Sequence, residues 1–287
     1  MQASCAAQVA FIETGDTARS TTDPDHVMNN KFRLFTLAAL LAGSAAQAED
    51  DANVLTLGGG IAGGPRYSGA AERVIGPALA IDYQMANGFY ASTLRGIGHG
   101  RQLGPVNASV ALGYRGERSE RDRDGLGGAR GSTALRGMGD VKGSATVMLQ
   151  GAYEIVDGLE LSAAAELPLS HRANGRTLSL GLTGTLFERA TDQVTLALSA
   201  NVGDRDYVRT YYGVDTAQAA RSGYRQFTPK AGLYEVELGM TWRHQLDERW
   251  SVTTMLGLTA LTRDAARSPL ARKDTAPTGA VFVAYRF

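Results

Sequence analysis

The sequence predicts an all-β protein, an antiparallel transmembrane β-barrel of about twelve strands, with about ten as the alternative. Three observations predict it. Beyond residue 48, apolar residues recur at every second position in segments of about ten residues, the length of a tilted strand across the hydrocarbon layer. That part of the chain holds no apolar run of about 18 residues, so no spanning helix is expected. The faces opposite the apolar ones are small and rich in glycine, of which the chain has 35, as a crowded barrel interior requires.

The segments follow in chain order. Residues 1–27 are polar and irregular and contain Pro24, and they read as a disordered stretch ahead of a mis-assigned upstream start. Residues 28–48 read as a Sec signal peptide: a basic start with Lys31 and Arg33, an apolar run from Leu34 to Ala42, then small residues. Ala46 and Ala48 occupy the positions a signal peptidase reads, so Glu49 is the expected mature N-terminus. Removing 1–48 takes the 29 basic and 29 acidic residues to 26 and 25, and removes the single cysteine, Cys5. A near-neutral exported chain of this kind has no disulfide framework and no basic patch for nucleic acid.

Residues 49–287 form the expected barrel, placed in the outer membrane of a Gram-negative envelope. Val106, Ala108, Val110, Leu112 and Tyr114 alternate with Asn107, Ser109, Gly113 and Arg115. Leu178, Leu180 and Leu182 alternate with Ser179, Gly181 and Thr183; Val194, Leu196, Leu198, Ala200 and Val202 alternate with Thr195, Ala197, Ser199 and Asn201. Tyr234, Val236, Leu238, Met240 and Trp242 are read as one lipid-facing set. Aromatics at segment ends, among them Tyr114, Tyr234, Trp242 and Trp250, suit interfacial girdles. The segment Val281-Phe-Val283-Ala-Tyr285-Arg-Phe287 resembles a barrel-insertion signal carried by Val283, Tyr285 and Phe287, which implies recognition by the barrel-assembly machinery.

Short turns are legible at Asn87-Gly88, Asp157-Gly158, Thr191-Asp192 and Asp247-Glu248-Arg249, and long polar connections at 115–140, 203–231 and 263–276. Eleven strands can be read directly, near 53–64, 72–84, 89–98, 105–115, 143–156, 159–169, 177–188, 193–203, 232–246, 250–262 and 279–287. Both ends of such a barrel are periplasmic, so the number must be even. The missing strand is expected where Gly96-Ile-Gly98-His-Gly100 interrupts the pattern.

Strand parity turns Asp82, Glu154, Glu160, Glu166, Glu235, Glu237, Arg115, Arg243 and Arg286 toward the lumen. Charges in a narrow lumen are paired or hydrated. Two arrangements stay open, a salt-bridged interior that closes the barrel and a water-filled, cation-leaning path. Glu235 and Glu237 share one face, with Arg115 or Arg286 as a possible partner from another strand. Outside the membrane, Arg66 and Tyr67 read as part of a turn between the first two strands or as a rim contact site, and Tyr211, Tyr212, Tyr224 and Phe227 enrich the 203–231 connection, for docking a partner, folding the loop on itself or entering the headgroups. Arg115 to Asp124 mixes both signs, as a solvated loop or as arginines for lipopolysaccharide phosphates. His99, His171 and His244 lack ligand spacing, and no nucleophile elbow, P-loop or zinc motif is present, so no enzyme activity and no cofactor are expected.

Several pieces are similar to the MipA/OmpV family of outer-membrane proteins. They are Gly58 to Gly69 with Pro65-Arg-Tyr67-Ser, Gly137-Met-Gly-Asp140, Tyr211-Tyr-Gly213-Val-Asp215 through Tyr224, and Ser268-Pro269, in the family's order across the mature chain. The resemblance implies a scaffold at the cell envelope, linking a lytic transglycosylase to a murein synthase. Outer-membrane lipid and lipopolysaccharide are the surroundings expected for such a barrel, and the alternative function is a small-solute or cation-leaning channel.

Overall fold

The computed structural model describes residues 5–11, 34–41, 53–121 and 131–287. Twelve antiparallel strands form a closed barrel. They are β1 Val54–Pro65, β2 Arg73–Gln84, β3 Phe89–Ser92, β4 Gly96–Leu103, β5 Val106–Arg115, β6 Ser144–Val156, β7 Leu159–Pro168, β8 Thr177–Glu188, β9 Asp192–Gly203, β10 Gly232–Gln245, β11 Trp250–Leu261 and β12 Thr275–Arg286. Neighbours in the chain are neighbours in the sheet, and β12 closes on β1 with Val281 opposite Ile61 and Arg286 opposite Thr56. Closure pairs backbone groups within the sheet, which hydrocarbon demands because it offers no substitute partner. Among the described residues no helix is long and apolar enough to cross a membrane.

The alternation translates directly into two faces. Leu178, Leu180 and Leu182 of β8 and Leu196 and Leu198 of β9 are exposed on the outer surface. On β9 the intervening Thr195, Ala197, Ser199 and Asn201 are buried toward the lumen. An apolar exterior around a polar, small-residue interior is the inverse of a soluble sandwich and fits a lipid surround.

The strand hidden in the glycine-rich stretch is β4. What reads as one segment over 89–98 is two short strands, with Tyr90 opposite Gly98 and Ser92 opposite Gly96. Gly96 sits at φ 81°, and a Cβ there would collide with the Leu112 carbonyl, so the turn into β4 requires glycine. This hairpin is shorter than its neighbours. It pairs with β2 only over Asp82–Gln84, so no barrel strand flanks the outer half of β2 on that side. Cys5–Phe11, within the stretch expected to be disordered, forms a strand paired with Leu34–Leu41, and its Ala10 and Phe11 pair with Leu79 and Ala78 of β2. The expected cleavage positions Ala46, Ala48 and Glu49 lie outside the described residues.

Tyr234 departs from expectation. Parity assigns it to lipid, but it is buried on the inner side. A bulge causes this: Asn201 pairs with Glu235 and Val202 with Leu233, which leaves Tyr234 as the extra residue and turns it inward. The last strand also begins earlier than the pattern suggests, at Thr275. Pro277 sits in the stretch that pairs with β11 alone, since pairing with β1 starts at Gly279. A proline is tolerated where one side carries no ladder.

Candidate functional site: an outer cap and the acidic lumen beneath it

The long connections fold into a cap over the outer end. Among the described residues three α-helices build it, α1 Arg205–Tyr212, α2 Thr216–Ser222 and α3 Arg263–Ala266. Local sequence dictates the first two. Asp204 caps α1 by accepting from the Tyr207 amide at 2.8 Å, and Asp215 with Gln218 forms a reciprocal capping box on α2. Helices this short do not persist alone and need tertiary contacts. Val208 and Tyr212 supply them by burying against Tyr234, Leu261 and Ala265, each large side chain contributing about 1.5–3 kcal/mol. A second cluster joins Leu135, Met138, Val214 and Leu270.

Connections from three well-separated points of the ring converge on α1. The loops after β1 and β5 and α1 itself, after β9, leave the barrel four strands apart in a ring of twelve. Ser68 shares a 2.9 Å hydrogen bond with the Tyr212 hydroxyl. Arg118 donates to the Tyr211 and Thr210 carbonyls at 2.7 and 2.9 Å. The loop after β7 joins them, for Gly175 lies at φ 71° against the Tyr207 amide, where a Cβ would not fit. Ser268, after β11, donates to the Tyr212 carbonyl at 2.6 Å.

The candidate contact residues therefore belong to the cap's interior bonding. Tyr212 is only 1% exposed. Tyr67 donates to the Leu270 carbonyl at 3.2 Å, Tyr224 to the Ala134 carbonyl at 2.7 Å, and Arg66 to the Gly131 carbonyl at 2.9 Å. These bonds join one loop of the cap to another rather than folding a loop on itself. Arg115 and Arg118 do not present themselves to phosphates either. The first faces inward and the second is buried in the cap.

Burial holds these phenols in the neutral form. Desolvation pushes Tyr67 up to about 12 and raises Tyr207, Tyr211 and Tyr212 as well. Desolvation also lowers the pKa of the Arg118 guanidinium, against the opposing pull of Tyr211.

Two ion pairs hold lumen charges to a described partner. Arg115 pairs with Glu166 at 2.7 Å, and its other nitrogen donates to the Asn174 and Gly175 carbonyls. Asp82 is held by Arg95 at 2.7 Å, a partner that sequence parity did not mark because it sits in the β3–β4 turn. Glu154 and Glu160 face each other across β6 and β7 near the short-turn end, where Glu154 accepts from the Gly158 amide at 3.3 Å. Arg243 and Arg286 lie toward that same end of β10 and β12. Glu235 and Glu237 form no ion pair among the described residues. Glu235 accepts from Asn201 at 3.1 Å and Ser68 at 3.2 Å, and Glu237 is buried with one oxygen unpartnered. The partner expected from Arg115 is absent because Glu166 holds it.

At the short-turn end, Trp250 and Tyr285 meet edge to face at 4.8 Å, and Tyr285 meets Phe287 at 4.6 Å. Val283 is exposed on the lipid side of the same strand. Trp242 and His244 both reach the Asp192 carboxylate, at 3.0 and 2.9 Å.

With barrel, cap and lumen in view, the family assignment follows from the match of residues 57–287 to the family described as MltA-interacting protein MipA. The chain belongs to the MipA family. No curated protein matches it. Among solved structures, this MipA-family chain is similar to a KdgM porin at 12% identity and a TM-score of 0.39, over 82% of this chain and 99% of the porin. A NanC porin matches at 10% identity and 0.43, over 80% and 98%, and OmpT of Vibrio cholerae at 7% and 0.36, over 84% and 99%.

Proposed function

We propose that this MipA-family barrel is a non-enzymatic scaffold of the outer membrane. Its outer mouth is sealed by its own loops, and its periplasmic side holds murein enzymes at the envelope. One observation carries the reading: loops from β1 and β5 are hydrogen-bonded onto α1 across the outer end, through Ser68–Tyr212 and Arg118–Tyr211. A diffusion pore needs an open outer mouth, whereas a scaffold needs a rigid body that stays in place. The family's description names an interaction with MltA, and a lytic transglycosylase with a murein synthase is the partner pair proposed here. Lipid and lipopolysaccharide surround the apolar exterior, and Val283, Tyr285 and Phe287 serve recognition by the assembly machinery.

The second reading is a cation-leaning channel, favoured by Glu235 and Glu237 standing in the lumen without an ion pair among the described residues. Crosslinked envelopes decide between them. Tagged barrel should capture a lytic transglycosylase and a murein synthase by mass spectrometry, and purified barrel should be silent in planar bilayers. Steady cation-selective conductance with no murein enzyme captured overturns the scaffold in favour of the channel.

A further inference from the structure

We propose that a basic cleft on the outer cap, formed by Lys230, Arg263 and Arg267, binds the phosphate groups of lipopolysaccharide in the surrounding leaflet. The proposal rests on placing the barrel in the outer membrane and is independent of the scaffold role.

Charge selects the place. The connections 204–231 and 262–274 carry nine basic and five acidic residues, although the mature chain is close to neutral. Two of those acids, Asp204 and Asp215, are engaged as helix caps. Where the two connections meet, a cleft of about 300 Å³ lies between α1, α3 and the start of β10. Lys230, Arg263, Arg267 and Asp264 line it, with Val208 and Ala265. Asp264 is its one acid among the described residues, and it does not neutralise the cleft. One of its oxygens accepts from the Lys230 amide at 2.9 Å. The other stands 3.8 Å from the Arg267 guanidinium, whose side chain is 77% exposed, so this pair is weak. Arg225 adds a further positive charge beside them, donating to the Arg267 carbonyl at 3.0 Å. Like charges gathered in this way repel unless an anion comes between them.

A second observation concerns Arg263. Its φ of 50° lies in the left-handed region, which among the described residues only one other non-glycine residue, His171, occupies. Arg263 and Lys230 are both exposed, and their side chains have no polar partner among the described residues. Backbone strain of this kind is characteristic of ligand clamps, where the surrounding structure holds one side chain in a set direction.

The donors and the level of the cleft select the ligand. Every free group in it is a cationic nitrogen donor, and a guanidinium fork matches two oxygens of a phosphate. Below the cleft, β10 and β11 present Leu238, Leu256 and Leu258 to lipid. Leu258 stands three residues beneath the end of β11 at Leu261, about 10 Å along the strand. A phosphorylated glycolipid meets both surfaces at once, its phosphates in the cleft and its acyl chains on the leucines. Free phosphate would use the cleft alone.

The probe is lipid A carrying both phosphates, added to folded barrel in detergent, with the bound lipid counted by native mass spectrometry. The parent should retain it. Combining Lys230→Gln, Arg263→Asn and Arg267→Gln should weaken retention about tenfold or more, asparagine being chosen because it tolerates the left-handed backbone. Removing the same charge elsewhere on the cap, through Arg136→Gln, Arg172→Gln and Arg176→Gln, should leave retention unchanged. Dephosphorylated lipid A should bind the parent far more weakly, and inorganic phosphate should not displace the intact lipid. If the first triple variant does not reach the folded, heat-modifiable form, Arg263→Asn alone should still weaken retention several-fold. Equal losses in the two triple variants would reduce the effect to net charge. Retention indifferent to the lipid's phosphates, or displacement by inorganic phosphate, would remove the lipid as the ligand. Each of these results overturns the proposal, and none of them bears on the capture of murein enzymes that tests the scaffold.

Discussion

The Arg118 guanidinium donates to the Tyr211 carbonyl at 2.7 Å while lying 5.4 Å from the centroid of the same residue's ring. One side chain thus satisfies the last carbonyls of α1, places positive charge at the negative end of the helix and fastens the loop after β5 to it. Arg118→Ala should release α1. Hydrogen bonds to a charged group contribute about 1.5–3 kcal/mol each, and two are lost. Lysine cannot span two carbonyls in a fork and should recover only part. Urea unfolding in detergent gives the loss, trypsin cleavage at Arg205 and Arg209 reports the loosened helix, and conductance in a planar bilayer shows whether the mouth has opened. Unaltered protease resistance and midpoint would show that the cap does not depend on this contact.

The cap should fail at high pH before the barrel does. Desolvation raises Tyr67 to about 12, above the value near 10 of an unfolded tyrosine, and raises Tyr207, Tyr211 and Tyr212 in the same sense. The sign is that of any group with a raised folded pKa. The stabilisation is fully present below about pH 10 and is lost as pH rises from 10 toward 12, because the unfolded chain ionises first. Tyrosinate absorbance should show a late-titrating group of phenols, with their ionisation coinciding with loss of near-ultraviolet dichroism. Phenols that all titrate together near pH 10 would mean the cap is open in solution.

Processing should expose Glu49. Ala46 and Ala48 supply the small residues, and N-terminal sequencing of barrel extracted from outer membranes checks the cut. Cleavage there also removes Cys5–Phe11, the strand that pairs with Leu79 and Ala78 of β2. A chain beginning at Met1 or Met28 would contradict the signal-peptide reading.

How much of this was legible depended on period. Leu178, Leu180 and Leu182 announce a lipid face because one residue in two is a large aliphatic, and the barrel follows from repeating that pattern. The even-strand rule located β4 even though Gly96, Gly98 and Gly100 erase the alternation there. Tyr234 was misread because a bulge shifts parity by one and leaves no mark in residue type. The tyrosines of α1 were visible as an aromatic cluster, but whether they face solvent depends on Arg118, 93 residues away from Tyr211 in sequence. Long-range hydrogen bonds of that kind have no periodicity to read. Arg95 escaped notice for a related reason: it lies in a turn, where parity assigns no face.

Arg95 carries the last prediction. The hairpin of β3 and β4 is short, and its turn lies where the neighbouring strands continue outward. From Arg73 to Leu79 the edge of β2 has no barrel strand beside it, a risk within a membrane because unpaired backbone cannot be left to lipid. The turn is pinned to β2 by two contacts. Thr93 exchanges hydrogen bonds with the Ile81 backbone, its amide donating to the carbonyl at 2.9 Å and its hydroxyl accepting from the amide at 3.0 Å. Arg95 grips both oxygens of Asp82 at 2.7 Å and stacks 4.2 Å from the Tyr90 ring centroid. Arg95 is nearly buried and Asp82 about one third exposed, so the pair is screened on one side only. Removing one member of a buried pair costs about 3–5 kcal/mol, and partial access by water reduces that. Asp82→Asn should therefore destabilise the barrel by about 2 kcal/mol, and Arg95→Met by less, because the carboxylate left behind can reach water. The two effects should be far from additive, since they share one interaction. The measurement is urea unfolding followed by heat-modifiable migration, for both single variants and the double. Additive losses, or none, would mean that the short hairpin is held by Thr93 and its strand pairing alone.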